Sequence, residues 1–347
     1  MGFQELSRRE RTVLEAVIRT YVETAEPAGS RTLSRRFGLG VSPATIRNTM
    51  SDLEEKGFLF HPHTSAGRVP TNKAYRVYVD QLLAIPPVST VENERLAEQL
   101  VVGGSAIEAI IRRAAQTLGV ITQELGVALG PRLGNSVLRR LELVRVASEK
   151  LLMVLTLDGG VVRTVFVEVA GDIADMVLAE VAGVLNERLA GLTLEEIRGS
   201  MGSRLRDSGS GPGAHELLNI FVQEGEQLFE TAMPLLPEAV VLGQPSLLAE
   251  QPEFSAAERM RRLLALTERP DALAEAIRQR TAPGVTITIG SEHQDPRLDD
   301  FTVVTAEYHL GQLTGIIGVI GPTRMPYEKI ISLVSHTSRL LNDLLQQ

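Results

Sequence analysis

Residues 28–72 decide what kind of protein this is, and they read AGSRTLSRRFGLGVSPATIRNTMSDLEEKGFLFHPHTSAGRVPTN. The pattern predicts a short basic helix capped by Ser30, a glycine-containing turn at 38–41, and a longer helix that opens at Ser42-Pro43. A hairpin follows, with a tip of small residues ending at Arg68. This order is typical of a helix-turn-helix with a wing, which lays one helix into a groove of DNA.

The longer helix has the two faces that a base-reading helix needs. Ser42 offers an N-cap oxygen and Pro43 suits the first helical position. Ile46, Met50 and Leu53 recur at helical spacing and predict an inward face. Arg pairs with guanine, Asn with adenine, and a Thr methyl group packs on thymine. We therefore expect the outward side chains to read bases: Thr45, Arg47, Asn48 and Ser51.

A second group of residues is expected to contact the DNA backbone or to form the wing. Its members are Arg31, Arg35, Ser42, Thr64, Ser65, Arg68, Lys73 and Arg76, with the minor groove as an alternative target for Arg68. Charge supports this, since residues 1–83 carry a net +3 and the remainder −11. The alternative is that these polar side chains are only solvated; the complete order of elements argues against it.

Beyond residue 83 the pattern predicts a mixed α+β body. Strands are expected at 125–130, 141–147, 151–157 and 161–169, and again after residue 284, with a closing amphipathic helix. Helical stretches interrupt the strands, and the Ser/Gly-rich segment 199–214 predicts a loop between them. Strands, a helical interruption and further strands indicate an α+β domain split by an insertion.

The motifs closely resemble the HrcA family of bacterial heat-inducible transcription repressors. The resemblance is carried by ELSRRERTVL at 5–14, VSPATIRNTMSDLEEKGFL at 41–59 and HTSAGRVPT at 63–71. QPEF at 251–254 and GIIGVIGP at 315–322 extend it along the chain. It implies an N-terminal winged helix-turn-helix at 1–83, a GAF-like α/β sensor domain at 84–147 and 236–347, and an inserted α+β dimerisation domain at 148–235.

The resemblance also implies how such a protein works. It implies a homodimer that binds a double-stranded DNA inverted repeat upstream of chaperone operons and represses them, under the control of a bacterial chaperonin. It implies a bacterial cytoplasmic location, at the nucleoid when DNA is bound. A small-molecule ligand of the GAF-like domain is the alternative controller, and a scaffold whose winged helix binds protein is the alternative class.

Composition excludes other kinds of chemistry. The chain of 347 residues contains no cysteine, so thiol catalysis, disulfides and thiolate metal sites are not available. No sequence segment approaches the roughly 18 consecutive apolar residues of a membrane span. No nucleophile, base and orienting residue assemble from the motifs, so we expect no enzyme activity, no cofactor and no metal site. Gly315, Gly318 and Gly321 lack a phosphate-loop pattern and are interpreted as close-packing positions in a sheet.

Overall fold

The computed structural model describes residues 6–63, 66–101, 107–131, 133–171, 173–206, 212–232, 240–279, 284–311 and 313–345. The predicted wing residues Thr64 and Ser65 lie outside these ranges. No helix within them is both long and apolar enough to cross a membrane.

The described residues between 6 and 82 form a helical unit with one hairpin, hereafter the amino-terminal unit. Its elements are α1 (Arg8–Thr24), α2 (Ser30–Phe37), α3 (Pro43–Glu55), β1 (Leu59–Phe60), β2 (Val69–Pro70) and α4 (Asn72–Val77), which continues as a π-helical stretch at Tyr78–Leu82. β1 and β2 pair antiparallel. The predicted capping of α2 by Ser30 is wrong, because Gly29 is the N-cap residue and Ser30 is the first helical residue.

The apolar stripes of this unit meet in one core. Val13, Leu14 and Val17 of α1 are buried, as are Ile46 and Leu53 of α3. α1 contacts both α2 and α3. The position of α1 therefore determines where the outward face of α3 points, because close-packed helices transmit displacement rather than absorb it.

A five-stranded antiparallel sheet forms the centre of the body. The strands are β3 (Leu125–Leu129), β7 (Val241–Leu242), β8 (Val285–Ile289), β9 (Phe301–Leu310) and β10 (Leu313–Pro322), in the order β7-β3-β10-β9-β8. α6 (Ile107–Thr122) and α13 (Tyr327–Leu345) pack on one face, while α5 (Thr90–Val101) contacts both helices. The other face lies beneath α11 (Ala257–Thr267) and α12 (Pro270–Arg278), after the short α10 (Ser246–Ala249).

The three glycines of β10 are close-packing positions, as predicted. A Cβ atom on Gly318 would lie 2.2 Å from the carbonyl oxygen of Val304, and one on Gly315 would lie 2.2 Å from the ring of Tyr308. A Cβ atom on Gly321 would lie 2.3 Å from a carboxylate oxygen of Glu124. Each glycine therefore admits a neighbour that any side chain would displace.

A separate three-stranded antiparallel sheet carries its own helices. It consists of β4 (Leu138–Ala147), β5 (Lys150–Leu157) and β6 (Val162–Glu168), in that order, beside α7 (Asp175–Leu189), α8 (Leu194–Leu205) and α9 (Pro212–Ala232). The predicted boundary at residue 148 falls between β4 and β5, which pair along almost their whole length. The predicted loop at 199–214 is wrong at both ends, because α8 continues to Leu205 and α9 begins at Pro212. Its glycines are tolerated there because α8 packs against α9.

Candidate nucleic-acid interface

A cleft of about 970 Å³ opens between the start of α2, the outer face of α3 and the hairpin. It brings together several of the sequence-predicted residues, namely Arg31, Arg47, Asn48, Ser51 and Arg68. His61 of the hairpin also lines it. The cleft therefore combines cationic groups with side chains that have hydrogen-bond donors and acceptors.

The start of α3 is built by its first residues. Pro43 occupies the first helical position, and the Ser42 hydroxyl accepts a hydrogen bond from the backbone N–H of Thr45 at 3.1 Å. The Thr45 hydroxyl lies 2.9 Å from the Ser42 hydroxyl. Both hydroxyl groups thus serve the helix cap, and neither residue lines the cleft. Thr45 and Ser42 therefore fix the start of α3 and do not lie at the centre of the cleft.

Arg47 and Asn48 differ from their neighbours in being exposed and uncommitted. Within the described part of the chain, neither side chain forms a hydrogen bond or an ion pair. The hydroxyl of Ser51, by contrast, donates to the carbonyl oxygen of Arg47 at 3.2 Å. Arg47 and Asn48 can therefore form new hydrogen bonds without breaking existing ones.

The hairpin is fixed against the start of α2 by backbone pairing. Arg68 and Ala28 exchange two backbone hydrogen bonds of 2.9 Å each. A Cβ atom on Gly67 would lie 2.3 Å from the carbonyl oxygen of Ala28, so this approach requires glycine. The specific Ala-Gly-Arg tip is thus explained by the close passage of two backbone segments.

Glu54, which sequence reasoning missed, connects α3 to both sides of the hairpin. Its carboxylate lies 2.7 Å from a guanidinium nitrogen of Arg68 and 3.0 Å from Nδ1 of His61. The side chain of Arg68 is only 12% exposed, and its Nε atom is buried without a hydrogen-bond partner in the described residues. Arg68, which the sequence predicts to contact the DNA backbone or the minor groove, is therefore held in the wall of the cleft. The position of Glu54 in the helical pattern of α3 does not predict its contacts with Arg68 and His61.

Two predicted phosphate contacts are committed elsewhere. The ammonium of Lys73 donates to the carbonyl oxygen of Lys56 at 2.8 Å and lies 4.3 Å from the centre of the Phe58 ring. Arg76 binds Glu292 and the carbonyl oxygen of Ile287 in the body. Both cations already have partners in this geometry, so a contact with phosphate would compete with these interactions. Arg35 is exposed on α2, but outside the cleft.

The far end of α3 is anchored to α1 by a partly buried charge pair. The Lys56 ammonium lies 2.6 Å from the carboxylate of Glu10, whose side chain is 9% exposed. The same carboxylate accepts the backbone N–H of Ser7 at 2.8 Å in a capping box. The hydrogen bond from Lys56, with those from Ser7, lowers the pKa of Glu10 from 4.5 to about 2.

Comparison with known proteins gives one consistent family. The family model described as "HrcA protein C terminal domain" matches residues 108–331. The chain is 37% identical to the heat-inducible transcription repressor HrcA of Chlorobium chlorochromatii, over 99% of both chains. It is 36% identical to the protein of the same name from Geobacter sulfurreducens, again over 99% of both.

One solved structure shares the fold over nearly the full length. It is a crystal structure of a hypothetical protein at 2.2 Å resolution, with a TM-score of 0.65 and 21% sequence identity. The match covers 98% of this chain and 99% of the other. At that identity the likeness concerns the fold alone.

Proposed function

This chain belongs to the HrcA family of heat-inducible transcription repressors, and we propose that it represses by binding an operator in the cleft of its amino-terminal unit. Family membership makes it a negative regulator of transcription in the heat-shock response and not an enzyme. The observation that carries the proposal is the joint placement of Arg31, Arg47 and Asn48 around one open cleft.

The amino-terminal unit is proposed to act as a winged helix-turn-helix. α3 enters the major groove, where Arg47 and Asn48 read base edges and Ser51 makes the next contact along the helix. Arg31 and Arg35 neutralise phosphates beside it. Thr45 and Ser42 hold the start of α3, and Thr64 and Ser65 remain predicted contacts of the hairpin tip.

The body is proposed to consist of two domains. The GAF-like domain comprises the helices after residue 83 together with the five-stranded sheet. The inserted domain comprises the three-stranded sheet with α7, α8 and α9. Strand pairing supports starting the insertion before Leu138 rather than at residue 148, because a domain boundary that separated β4 from β5 would cut a continuous hydrogen-bond ladder.

The inserted domain is proposed to form a homodimer through one face of its sheet. That face carries Val144, Val146, Val162 and Phe166, which are 48–57% exposed. Val144 pairs with Leu152, and Leu152 pairs with Phe166, so the apolar side chains form a row across all three strands. A two-fold axis through this face places the same surface on both subunits.

A symmetric dimer predicts a symmetric target. We expect an inverted repeat upstream of chaperone operons, with the two copies of α3 in successive major grooves. Selection of fragments from genomic DNA by the purified full-length protein tests this directly. Recovery of one inverted repeat supports the proposal, and recovery of unrelated fragments contradicts it. The Arg47→Ala, Asn48→Ala double variant is the control and should enrich no sequence.

The chaperonin is the proposed regulator. It is expected to increase the fraction of repressor that is competent for DNA, so operator occupancy should rise when purified chaperonin is added. An excess of an unfolded protein should compete for the chaperonin and reverse that rise. If operator occupancy does not change with chaperonin but changes with a cell metabolite, the result would instead support a small-molecule ligand of the GAF-like domain.

A further inference from the structure

The carboxyl end of α1 receives a cap from the body in addition to its own, in which the backbone N–H of Ala25 donates to the carbonyl oxygen of Tyr21. The last four carbonyl groups of a helix have no partner within it, and a cation placed there is favourable. α1 has no basic residue in its last turn. Nη1 of Arg324 donates to the carbonyl oxygen of Val22 at 2.6 Å, across 302 positions of sequence.

Arg324 is itself held rigidly. It lies two residues after the end of β10 and forms two hydrogen bonds with the carboxylate of Glu253, one of them at 2.9 Å. The two side chains are only 14% and 13% exposed. A bidentate, largely desolvated pair of this kind has little freedom to rotate. The hydrogen bond to Glu253 raises the pKa of Arg324, so the guanidinium stays charged.

The QPEF motif at 251–254 supplies the support for this pair. Gln251 donates to the carbonyl oxygen of Gln123 at 2.8 Å and to the carboxylate of Glu124 at 3.0 Å. Phe254 stacks on Phe301 of the central sheet, with ring centres 5.7 Å apart. These contacts fix the short turn that carries Glu253, and so connect two motifs of the sequence, QPEF and the end of β10, to α1.

The position of α1 in turn restricts the position of α3, whose outer face lines the cleft. α1 and α3 share a core, and the Glu10–Lys56 pair joins the start of α1 to the residue after α3. Other contacts with the body lie at α4, where Arg76 binds Glu292, and at Glu328, which Tyr78 and Arg19 approach. Arg324 is the contact that holds the carboxyl end of α1, and separated contacts on α1 and α4 together restrict rotation.

We infer that Arg324, held by Glu253, is a positioning residue that sets the orientation of α3 relative to the body. In a dimer, that orientation determines the separation of the two reading helices. The consequence for operator recognition rests on the proposed DNA-binding function, but the orientation itself does not. The positioning role of Arg324 can therefore be tested without DNA.

Distances between spin labels measure this orientation directly. The chain has no cysteine, so Thr12→Cys on α1 and Ala265→Cys on α11, both exposed positions, introduce the only labelling sites. Labelled chains are diluted with unlabelled chains so that pairs within one subunit dominate. We expect one narrow distance distribution for the parent, and a broader or two-peaked one for Arg324→Gln and for Glu253→Gln.

Two comparisons separate positioning from general stabilisation. Arg297→Gln breaks another arginine–carboxylate pair of the body, with Asp295, and should leave the distribution narrow. Arg324→Lys retains a cation for the carbonyl oxygen of Val22, so its distance distribution should be narrower than that of Arg324→Gln. An unchanged distribution in both Arg324→Gln and Glu253→Gln overturns the inference, even if both lower the melting temperature. If Arg324→Gln does not fold, Glu253→Gln decides alone.

Operator binding by the same variants then tests the consequence. With the proposed function intact, Arg324→Gln should lose discrimination between operators whose half-sites differ in spacing, while non-specific binding is unchanged. Retained discrimination, together with a broadened distribution, overturns the link to recognition. Failure of the parent protein to bind any operator overturns the proposed function and leaves the distance result standing.

Discussion

The guanidinium of Arg76 forms two hydrogen bonds with the carboxylate of Glu292, 216 positions later in the chain, at 2.7 and 2.5 Å. A third hydrogen bond, of 2.7 Å, goes to the carbonyl oxygen of Ile287. Burial acts to raise the pKa of Glu292, but the hydrogen bonds from Arg76 and from the backbone of Ile289 lower it below its usual value. The pair therefore joins the amino-terminal unit to the body as a charged contact.

Arg76→Ala is expected to weaken this junction and not the contact with phosphates. The free energy of unfolding should fall by about 1.5–3 kcal/mol, the cost of losing hydrogen bonds to a charged group. The dependence of non-specific DNA binding on salt should keep its slope. Arg31→Ala should behave in the opposite way, reducing the slope by about one. Denaturant unfolding measures the free energy of unfolding, and DNA binding at several salt concentrations measures the slope. A reduced slope for Arg76→Ala would show that Arg76 contacts phosphate.

Glu10 makes the amino-terminal unit sensitive to acid. Its pKa is about 2 in the folded protein and 4.5 as the ordinary value, so the folded state favours the charged form. The stabilisation is complete above pH 4.5 and is lost as the pH falls toward 2. Glu10→Gln should lower the melting temperature at pH 7 and flatten its decline over that range. Thermal unfolding at stepped pH measures this, and an equal decline in parent and variant contradicts it.

Arg47→Ala should reduce specific binding selectively. A bidentate contact with a base contributes about 1–3 kcal/mol of discrimination, so operator affinity should fall by that amount while binding to unrelated DNA stays nearly constant. Titrations with operator and with scrambled DNA at one salt concentration supply the comparison. Equal losses on both DNAs would show that Arg47 contacts phosphate.

Glu54→Gln separates positioning from simple electrostatics. Removing a negative charge beside DNA should by itself tighten binding. If Glu54 holds the hairpin through Arg68 and His61, however, operator affinity should fall by about 1–2 kcal/mol, because Arg68 loses its charged partner on α3. Glu55→Gln removes the same charge at the exposed neighbouring position and should not weaken binding. Tighter operator binding by Glu54→Gln would mean that the contact has no positioning role.

Phe166→Glu tests the proposed dimer face. A charge at this position should disfavour burial of the apolar row, so the variant should sediment as a monomer at concentrations where the parent is dimeric. Met176→Glu is the matched control, since Met176 is apolar and 83% exposed but lies on α7, away from the sheet face. A dimeric Phe166→Glu variant would place the interface elsewhere.

Local patterns predicted the elements of the amino-terminal unit well. The Ser42 cap, Pro43 and the stripe of Ile46, Met50 and Leu53 specify α3 from interactions within four residues of one another. The capping hydroxyl of Thr71 and the strand at Val69 are equally local. The same reasoning put residues 199–205 in a loop, because a glycine-rich segment has weak helix propensity and only packing against α9 reveals that it is helical.

The partners of charged side chains were beyond such reasoning. Arg68, Lys73 and Arg76 all look like phosphate contacts from their charge and position in the chain. In the folded protein, Arg68 meets Glu54, Lys73 caps a carbonyl group, and Arg76 crosses to Glu292. A carboxylate far along the chain leaves no periodic signal, so spacing alone cannot assign the ion pair.

The sequence by itself therefore determined the helices of the amino-terminal unit, the turn, the glycine-dependent hairpin and the family, because these depend on short-range geometry and on contiguous motifs. Only the tertiary structure decided which cations have partners within the protein, that β4 pairs with β5, and that Arg324 caps α1. Those outcomes depend on groups brought together by folding, where burial and pairing determine which charges stay available.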